Sequence, residues 1–245
     1  MAEPQFYSLT LAGRELRCHF DHPETAQYFG PYCKGPYPGQ GELQIPAWYW
    51  DIWKQINGSD TPHDEYSAFS AVCSSALLPF GSCVFHAAAI RWDDRAYLIT
   101  APPGVGKSTR VRKLQELYPG EFTVISGDRP ILEKKSNEEV IVCPSPWNGK
   151  EDWYGAEAAP LGGVILLERG AQDNITQPLI KNVVLNVFNA FFSLAESEEE
   201  LKQVADIETA VLQAAPVWRL VCKGIESSTQ LLYETVFRKG GGDGI

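Results

Sequence analysis

The first twenty residues alternate apolar and polar side chains around a glycine turn. FYSLTL and ELRCHF carry the alternation and AGR lies between them, which predicts a β-hairpin because successive strand side chains point to opposite faces. Helices are predicted over 46–57 and 62–78, where apolar residues recur at helical spacing. Together with the many aromatic residues and prolines in this part of the chain, the pattern predicts a small α+β subdomain over residues 1–80.

From residue 82 the pattern becomes strand, tight turn, strand, glycine loop and helix. SCVFHAAAIRW is predicted to form one strand and RAYLIT the next, and STRVRKLQELY a helix that ends at Pro119 and Gly120. EFTVIS predicts another strand, ILEKK and VIVCP a hairpin, and GGVILLER a buried strand. This order of elements favours an α/β core with a mixed sheet and hairpins.

The last third of the chain is predicted to be largely helical. One helix begins near Thr176 and runs through LIKNVVLNVFNAFF, and a second begins at a capping box formed by Ser197 and Glu200. PVWRLVC then predicts a strand and SSTQLLYETVF a final helix. The core is therefore predicted over residues 81–238, followed by a glycine-rich flexible tail over 239–245.

Composition and charge restrict the classes of partner. The chain has 245 residues, a net charge of -10 and a pI near 4.9. It shows no basic run, so binding to nucleic acid or to an anionic membrane is not expected. The first residues do not resemble a signal peptide, and no segment offers about 18 uninterrupted apolar residues. We therefore expect a cytoplasmic protein.

Six cysteines are spread along the chain without a C-x-x-C pair. We predict reduced thiols rather than a disulfide framework or a zinc ribbon. Cys83 and His86 form a C-x-x-H pair, but no second pair with the spacing of zinc ligands follows.

The stretch YLITAPPGVGKSTR, residues 97–110, nearly matches a phosphate-binding loop, with Ala101 in place of the first glycine. In such a loop backbone N–H groups and a helix start point at the anion, a lysine reaches the terminal phosphates, and a hydroxyl binds magnesium. The stretch therefore predicts binding of ATP, or another nucleoside triphosphate, with Mg²⁺. The alternative is that GVGKS is an ordinary glycine turn before a helix. The predicted nucleotide-binding residues are Pro103, Gly104, Val105, Gly106, Lys107, Ser108, Thr109 and Arg129.

Three residues outside the loop are candidates for chemistry. Asp128 follows the strand after the loop helix, where a carboxylate can hold magnesium together with Ser108, or accept a proton from an attacking hydroxyl. The alternative for Asp128 is a cap of the turn SGDRP. Arg129 either offsets phosphate charge or is solvated. His86 lies one hairpin before the loop and is either a packed, hydrogen-bonded histidine or close enough to act at the phosphates.

Several stretches together resemble the HPr kinase/phosphorylase family. They are FHAAAIRWDDRAYLITAPPGVGKST, VISGDRPIL, PSPWNGKEDW, LGGVILLER and APVWRLVCKGIESSTQLLYETVF. The resemblance covers about residues 60–237. Together these stretches are similar to a bacterial group of HPr-kinase-related proteins with a short N-terminal region, rather than to the enzyme that phosphorylates HPr.

The resemblance implies a fold shared with ATP-dependent phosphoenolpyruvate carboxykinases and magnesium-dependent phosphoryl transfer to a hydroxyl. It implies that residues 104–109 bind the phosphates, that Ser108 and Asp128 bind the metal, and that Asp128 is also the base. His86 would either face the phosphates or act by contacting another residue of the site. Lys150, in PWNGK, would contact the transferred phosphate unless it is an exposed loop lysine. The predicted catalytic residues are Asp128, His86, Lys107 and Lys150.

The chain also departs from the family pattern. HPr kinases have paired acidic residues where this chain has Gly127 and Asp128, and a glutamate where it has Thr109. The loss of a carboxylate puts the reverse, phosphorylase-type reaction in doubt. No late segment resembles the HPr-docking motif, so HPr is not the expected substrate.

Three functions follow as hypotheses. The first is a kinase that transfers the γ-phosphoryl group of ATP to a Ser or Thr hydroxyl of a peptide or protein, or to a small hydroxylated metabolite. The second is a nucleotide-binding regulator or adaptor that has lost transfer. The third is a carboxykinase-like enzyme that acts on a small acid, which rests on fold analogy alone. The oligomeric state stays open.

Overall fold

A nine-stranded mixed sheet and a three-stranded antiparallel sheet organise this computed structural model, in which residues 5–102, 104–150, 153 and 157–238 are described. The strands are β1 (Gln5–Leu11), β2 (Arg14–Cys18), β3 (Cys33–Pro38), β4 (Ser82–Val84), β5 (Ala88–Trp92), β6 (Arg95–Thr100), β7 (Thr123–Ser126), β8 (Ile131–Lys134), β9 (Val140–Cys143), β10 (Ala159–Arg169), β11 (Asn174–Thr176) and β12 (Val217–Cys222). The helices are α1 (Thr25–Tyr28), α2 (Ala47–Asn57), α3 (Pro62–Leu77), α4 (Lys107–Leu117), α5 (Val184–Phe188), α6 (Glu198–Ala214) and α7 (Ile225–Leu232). The predicted mixed α/β class is confirmed, and the predicted flexible tail lies outside the described residues.

The N-terminal segment contains the predicted hairpin and both predicted helices. β1 and β2 pair through a turn at Ala12 and Gly13, which both have positive φ. β3 adds to the other edge of β1. α3 begins at a capping box between Thr61 and Asp64, which satisfies two N–H groups that the helix leaves free.

One buried cluster joins this segment to the large sheet. Phe69 of α3 belongs to the same cluster as Ile131 of β8 and Trp147 of a later loop. The N-terminal segment and the core therefore share apolar packing. The boundary predicted at residue 80 stays a prediction.

Four strands of the large mixed sheet, β6, β7, β10 and β12, run in the same direction and end at one edge. β10 pairs in parallel with β6 and with β12, so that Ile165 lies opposite both Ile99 and Trp218. β5 is antiparallel to β6 and to β7, so β7 points the same way as β6. In open α/β sheets ligands bind at the carboxyl ends of parallel strands. The segments after β6, β7, β10 and β12 all start from that edge.

The stretch 82–92, predicted as one strand, forms two strands in different parts of the sheet. β4 pairs with β8, whereas β5 pairs with β6 and β7. Three consecutive N–H groups between them donate to distant carbonyls, those of Phe85, His86 and Ala87 to Pro130, Ala190 and Asp128 respectively. The prediction is wrong because these long-range bonds redirect the chain, and local alternation carries no sign of them.

The prediction of a long helix that begins near Thr176 is also wrong. The segment contains β11, which pairs with β12, and the five-residue helix α5. Arg219 donates to the Asn182 carbonyl (3.1 Å), and the Phe192 N–H donates to the Val84 carbonyl (2.9 Å). Tertiary contacts thus take up backbone groups that a long helix would need, and the β-branched valines of α5 have modest helix propensity. None of the helices in the described ranges is long and apolar enough to cross a membrane.

α6 starts at the predicted capping box of Ser197 and Glu200 and carries a buried carboxyl, that of Glu208. This residue is 6% exposed, and its Oε1 has no hydrogen-bond partner among the described residues. Burial raises the pKa of Glu208 to about 7, although a hydrogen bond from the Phe188 backbone acts against the rise. The unfolded carboxyl ionises near 4.5, so the folded state loses stability as pH rises from there to about 7.

We therefore expect Glu208→Gln to match the wild-type free energy of unfolding near pH 4 and to exceed it by roughly 1 to 3 kcal/mol near pH 8. The amide avoids placing a charge in the core. Urea denaturation at both pH values measures the difference. Glu199→Gln, at an exposed position on the same helix, is the control and should bring no comparable gain. Equal stability of Glu208→Gln and wild type near pH 8 would contradict the expectation.

Candidate functional site

The glycine loop, residues 101–106, connects the end of β6 to the start of α4. Gly104 and Gly106 have φ values of 77° and 109°, which is the left-handed region that favours glycine. α4 starts at Lys107 directly after the loop. Its first N–H groups have no partner within the helix and carry the positive end of the helix dipole. The predicted order of strand, loop and helix is confirmed, whereas Pro103 lies outside the described residues.

His86, Lys107 and Asp128 meet beside this loop. His86 lies between β4 and β5, Lys107 begins α4, and Asp128 follows β7. His86 Nε2 is 2.9 Å from Lys107 Nζ and 3.4 Å from Asp128 Oδ1. The Ala87 N–H donates to the Asp128 carbonyl (2.9 Å), which fixes the two segments together. The structure therefore places His86 beside the loop, while its chemical role stays a prediction.

The shared nitrogen of His86 can serve only one of these partners at a time. An ammonium group has donors and no acceptor, so Nε2 must be unprotonated to bond Lys107, with the ring proton on Nδ1. A protonated Nε2 would instead donate to Asp128. The shorter distance, 2.9 Å against 3.4 Å, favours the bond from Lys107.

The charges around Asp128 set its ionisation. Burial by itself would raise the pKa of Asp128, but contact with His86 and the positive charges of Arg129 and Lys107 outweigh burial and lower it. Because His86 Nε2 is taken by Lys107, we attribute the lowering mainly to the two cations. For Lys107, burial lowers the pKa, and the negative charge of Asp128 acts against that change. Asp128 is thus a carboxylate at neutral pH.

Arg129 is held in place rather than solvated. Its Nη1 donates to the Ser67 carbonyl (2.8 Å) and to Ser70 Oγ (2.6 Å), both on α3. Its guanidinium lies 4.6 Å from the ring centroid of Phe192, and its Nε lies 3.4 Å from Asp128 Oδ2. Arg129 therefore connects the N-terminal segment to the carboxylate beside the loop.

The remaining predicted residues lie at or near the loop. Ser108 is half-buried and Thr109 exposed in the first turn of α4, and Val105 is half-buried in the loop. Hydroxyl and carboxylate oxygens are ligands that Mg²⁺ accepts, so Ser108 and Asp128 suit the predicted metal in chemical type. Within the described ranges no group of three or more His, Cys, Asp or Glu is arranged to hold a metal.

Lys150 is exposed, and the glycine before it packs against the site. A Cβ built on Gly149 would lie 3.3 Å from Asp128 Cβ. The backbone of the loop that carries Lys150 therefore touches the catalytic candidate, whereas a contact of the lysine side chain with phosphate stays a prediction.

Gly127 occupies the position where the family resemblance implies a second carboxylate. A Cβ built on Gly127 would lie 2.2 Å from the Asn148 carbonyl oxygen. The Gly127 N–H donates to Asn148 Oδ1 (3.2 Å), so the later loop is bonded directly over this residue. The packing leaves room for the single carboxylate of Asp128.

A cavity of about 310 Å³ opens on the side of the loop that His86 faces. We call it the α5 cavity because α5 forms one wall. Residues that line it include His86, Ala101, Pro102, Glu168, Asn186 and Asn189. Sequence reasoning missed the last three, because their place depends on strand pairing and on the shortened helix rather than on a local pattern.

Comparisons with known proteins add a loose structural likeness. No protein-family model and no curated protein matches this chain. Among solved structures, the Hpr(Ser) kinase/phosphatase from Coxiella burnetii is similar with a TM-score of 0.35 and 16% identity, over 63% of this chain and 93% of that chain. A likeness at this level carries no argument about fold or function, so the roles of the site residues are argued from the geometry of this chain alone.

The close contact at Gly127 leads to a stability prediction. We expect Gly127→Ala to lower the free energy of unfolding by roughly 1 to 3 kcal/mol or more, because the new methyl group overlaps a backbone oxygen. Gly58→Ala is the comparison, since its Cβ meets nothing within 4 Å and it is affected by positive φ alone, which costs about 1 kcal/mol. Chemical denaturation of both variants measures this. A smaller loss for Gly127→Ala than for Gly58→Ala would mean that the loop can move away.

Proposed function

We propose that this chain is a magnesium-dependent kinase of the HPr-kinase-like type, which transfers the γ-phosphoryl group of ATP, or of another nucleoside triphosphate, to a hydroxyl group. The acceptor hydroxyl belongs to a peptide, a protein or a small metabolite. The observation that carries the proposal is the contact of Lys107 and Asp128 with one histidine nitrogen, directly beside a glycine loop at a helix start.

Phosphate binding is supported by the loop. Glycine at 104 and 106 lets the backbone turn back on itself so that N–H groups can converge on an anion. Lys107 supplies a positive charge at the same place. Magnesium, when bound with the nucleotide, neutralises charge on the phosphates, and Ser108 and Asp128 are the residues that would hold it.

Asp128 is suited to receive the proton of the acceptor. In the proposed step the hydroxyl oxygen bonds to the γ-phosphorus, the bond from phosphorus to the β–γ bridging oxygen breaks, and a nucleoside diphosphate leaves. The hydroxyl proton passes to Asp128. A lowered pKa makes this carboxylate a weak base but keeps it ionised. A loose transition state asks little of base strength, because bonding to the hydroxyl has advanced little.

The α5 cavity supports an acceptor without negative charge. The described residues that line it include no lysine or arginine, so no lining side chain offers a cation to a carboxylate or phosphate on the acceptor. Glu168 lies on its wall with Arg219 at 3.0 Å, and two asparagine amides offer both donors and acceptors. This chemistry favours a neutral or positively charged hydroxyl compound, and it disfavours a carboxykinase-like reaction on a small acid.

Asp128→Asn tests the base. With γ-labelled ATP, Mg²⁺ and a panel of Ser/Thr peptides and small alcohols, we expect wild type to transfer label and Asp128→Asn to lose at least about 100-fold in rate. The variant should still bind ATP in calorimetry. Asp94→Asn is the control, because Asp94 lies in the β5–β6 turn at the opposite end of β6 from the loop.

The outcomes separate the hypotheses. Full turnover by Asp128→Asn would make the base assignment wrong. Wild-type binding of nucleotide without Mg²⁺-dependent turnover would favour a nucleotide-binding regulator over a kinase.

Lys107→Met tests phosphate binding on its own. Loss of a charge-assisted hydrogen bond costs about 1.5 to 3 kcal/mol, so we expect the Kd for ATP to rise by roughly 10- to 100-fold. Calorimetric titration with Mg-ATP measures it, with Lys113→Met, later on the same helix and paired with Glu116, as the control. Equal affinity of Lys107→Met and wild type would show that the loop does not use this lysine for phosphate.

A further inference from the structure

A second cavity, of about 490 Å³, lies on the other side of the glycine loop. We call it the α7 cavity. It meets the loop at residues 104–106, whereas the α5 cavity meets it at Ala101 and Pro102. Its other walls are the ends of β10 and β12 and the start of α7. Residues that line it include Val105, Thr109, Arg169, Gly170, Lys223 and Ile225.

We infer that the α7 cavity binds the base and ribose of the phosphoryl donor, which is therefore a nucleoside triphosphate rather than an inorganic polyphosphate. The inference rests on the proposed kinase function. In phosphoryl transfer the attacking and leaving oxygens stand on opposite sides of phosphorus. Asp128 and His86 mark the attacking side, next to the α5 cavity, so the leaving diphosphate must extend the other way along the loop. That direction ends in the α7 cavity.

The walls of this cavity are firmly built. Arg110 of α4 is 2% exposed and donates to the Ile225 carbonyl (2.8 Å), to Ser228 Oγ (2.7 Å) and to Thr229 Oγ1 (2.5 Å), all in α7. One buried side chain thus joins the helix that follows the loop to the helix that closes the cavity. Its Nε has no hydrogen-bond partner among the described residues.

Two further contacts hold the rim. Arg169 Nη2 donates to the Gly104 carbonyl (2.7 Å), which connects the end of β10 to the loop. The Asp173 carboxylate accepts from the N–H groups of Lys223 and Gly224 (2.6 and 3.2 Å), which orders the turn into α7. A cavity with fixed walls can bind a ligand at a lower entropic cost than a mobile groove.

The chemistry of the lining suits a nucleoside attached to phosphate. Arg169 and Lys223 are exposed cations at the mouth, where an α-phosphate would enter. Val105 and Ile225 supply aliphatic surface for the face of a base. The described lining includes no carboxylate, and the Asp173 carboxylate at the rim is bonded to the N–H groups of Lys223 and Gly224. The volume lies within the range of about 300 to 1,000 Å³ typical of small-molecule sites.

A larger side chain in the α7 cavity tests whether the nucleoside binds there, independently of phosphate binding at the loop. Calorimetric titrations would compare Mg-ATP, Mg-GTP and Mg-tripolyphosphate on wild type, Ile225→Trp and Ile56→Trp. Ile225 is 38% exposed and Ile56, on α2, is 77% exposed, so the second substitution is a matched control away from the loop. Thermal melts confirm that each variant is folded.

We expect wild type to bind at least one nucleotide about tenfold or more tightly than tripolyphosphate. Ile225→Trp should weaken the binding of that nucleotide by at least about tenfold, while the affinity for tripolyphosphate stays within about threefold of the wild-type value. Ile56→Trp should change neither. Equal binding of nucleotides and tripolyphosphate by wild type, or nucleotide binding unchanged in Ile225→Trp, would overturn the inference while phosphate binding stands. Failure of every ligand on wild type would overturn the proposed kinase itself and the inference with it.

Photolabelling of wild type with 8-azido-ATP gives a reading that needs no variant. We expect the adduct in the peptides that contain residues 104–109 or 222–226. An adduct confined to α5 would reverse the assignment of the two cavities.

Discussion

The buried guanidinium of Arg110 is the contact on which the geometry around the loop depends. It has neutral acceptors on α7 in place of a carboxylate partner, so its charge is stabilised by oriented dipoles. Removing one of these acceptors costs about 1.5 to 3 kcal/mol, because a hydrogen bond to a buried charge is lost. Because Arg110 lies one turn into α4, it sets the direction in which the first N–H groups of that helix point.

Positive charge is concentrated around the loop of an acidic protein. The chain carries a net charge of -10, yet Lys107 and Arg129 together face a single carboxylate, Asp128. Arg169 and Lys223 add two more cations on the other side of the loop. The surrounding negative charge would repel anions in general, whereas the loop has a local excess of positive charge, so an anion is favoured there and not elsewhere.

Local patterns in the sequence predicted the parts of the site that are contiguous in the chain. The strand, the glycine loop and α4 lie within one stretch, and the position of His86 one hairpin earlier brings it to the loop. Arg110 was missed although it shares a helix face with Leu114, four residues later; an arginine at an apolar position was the available signal. The break between β4 and β5 and the short α5 depend on hydrogen bonds to residues far away in sequence, and the α5 cavity follows from those bonds. The α7 cavity depends on the pairing of β10 with β12 and on the contacts of Arg110 with α7, so periodicity could predict neither cavity.

The two carboxylate oxygens of Asp128 have different surroundings. Oδ1 lies 3.4 Å from His86 Nε2, and Oδ2 lies 3.4 Å from Arg129 Nε. The backbone over Gly127 excludes a second acid at the adjacent position, so in the proposed kinase one carboxylate would both contact magnesium and receive the proton. Oδ1 lies on the same side of Asp128 as the α5 cavity, because its neighbour His86 lines that cavity. We therefore assign the proton of the acceptor to Oδ1. Oδ2 stays with Arg129, whose positive charge helps to keep the carboxylate ionised and so able to accept the proton at Oδ1.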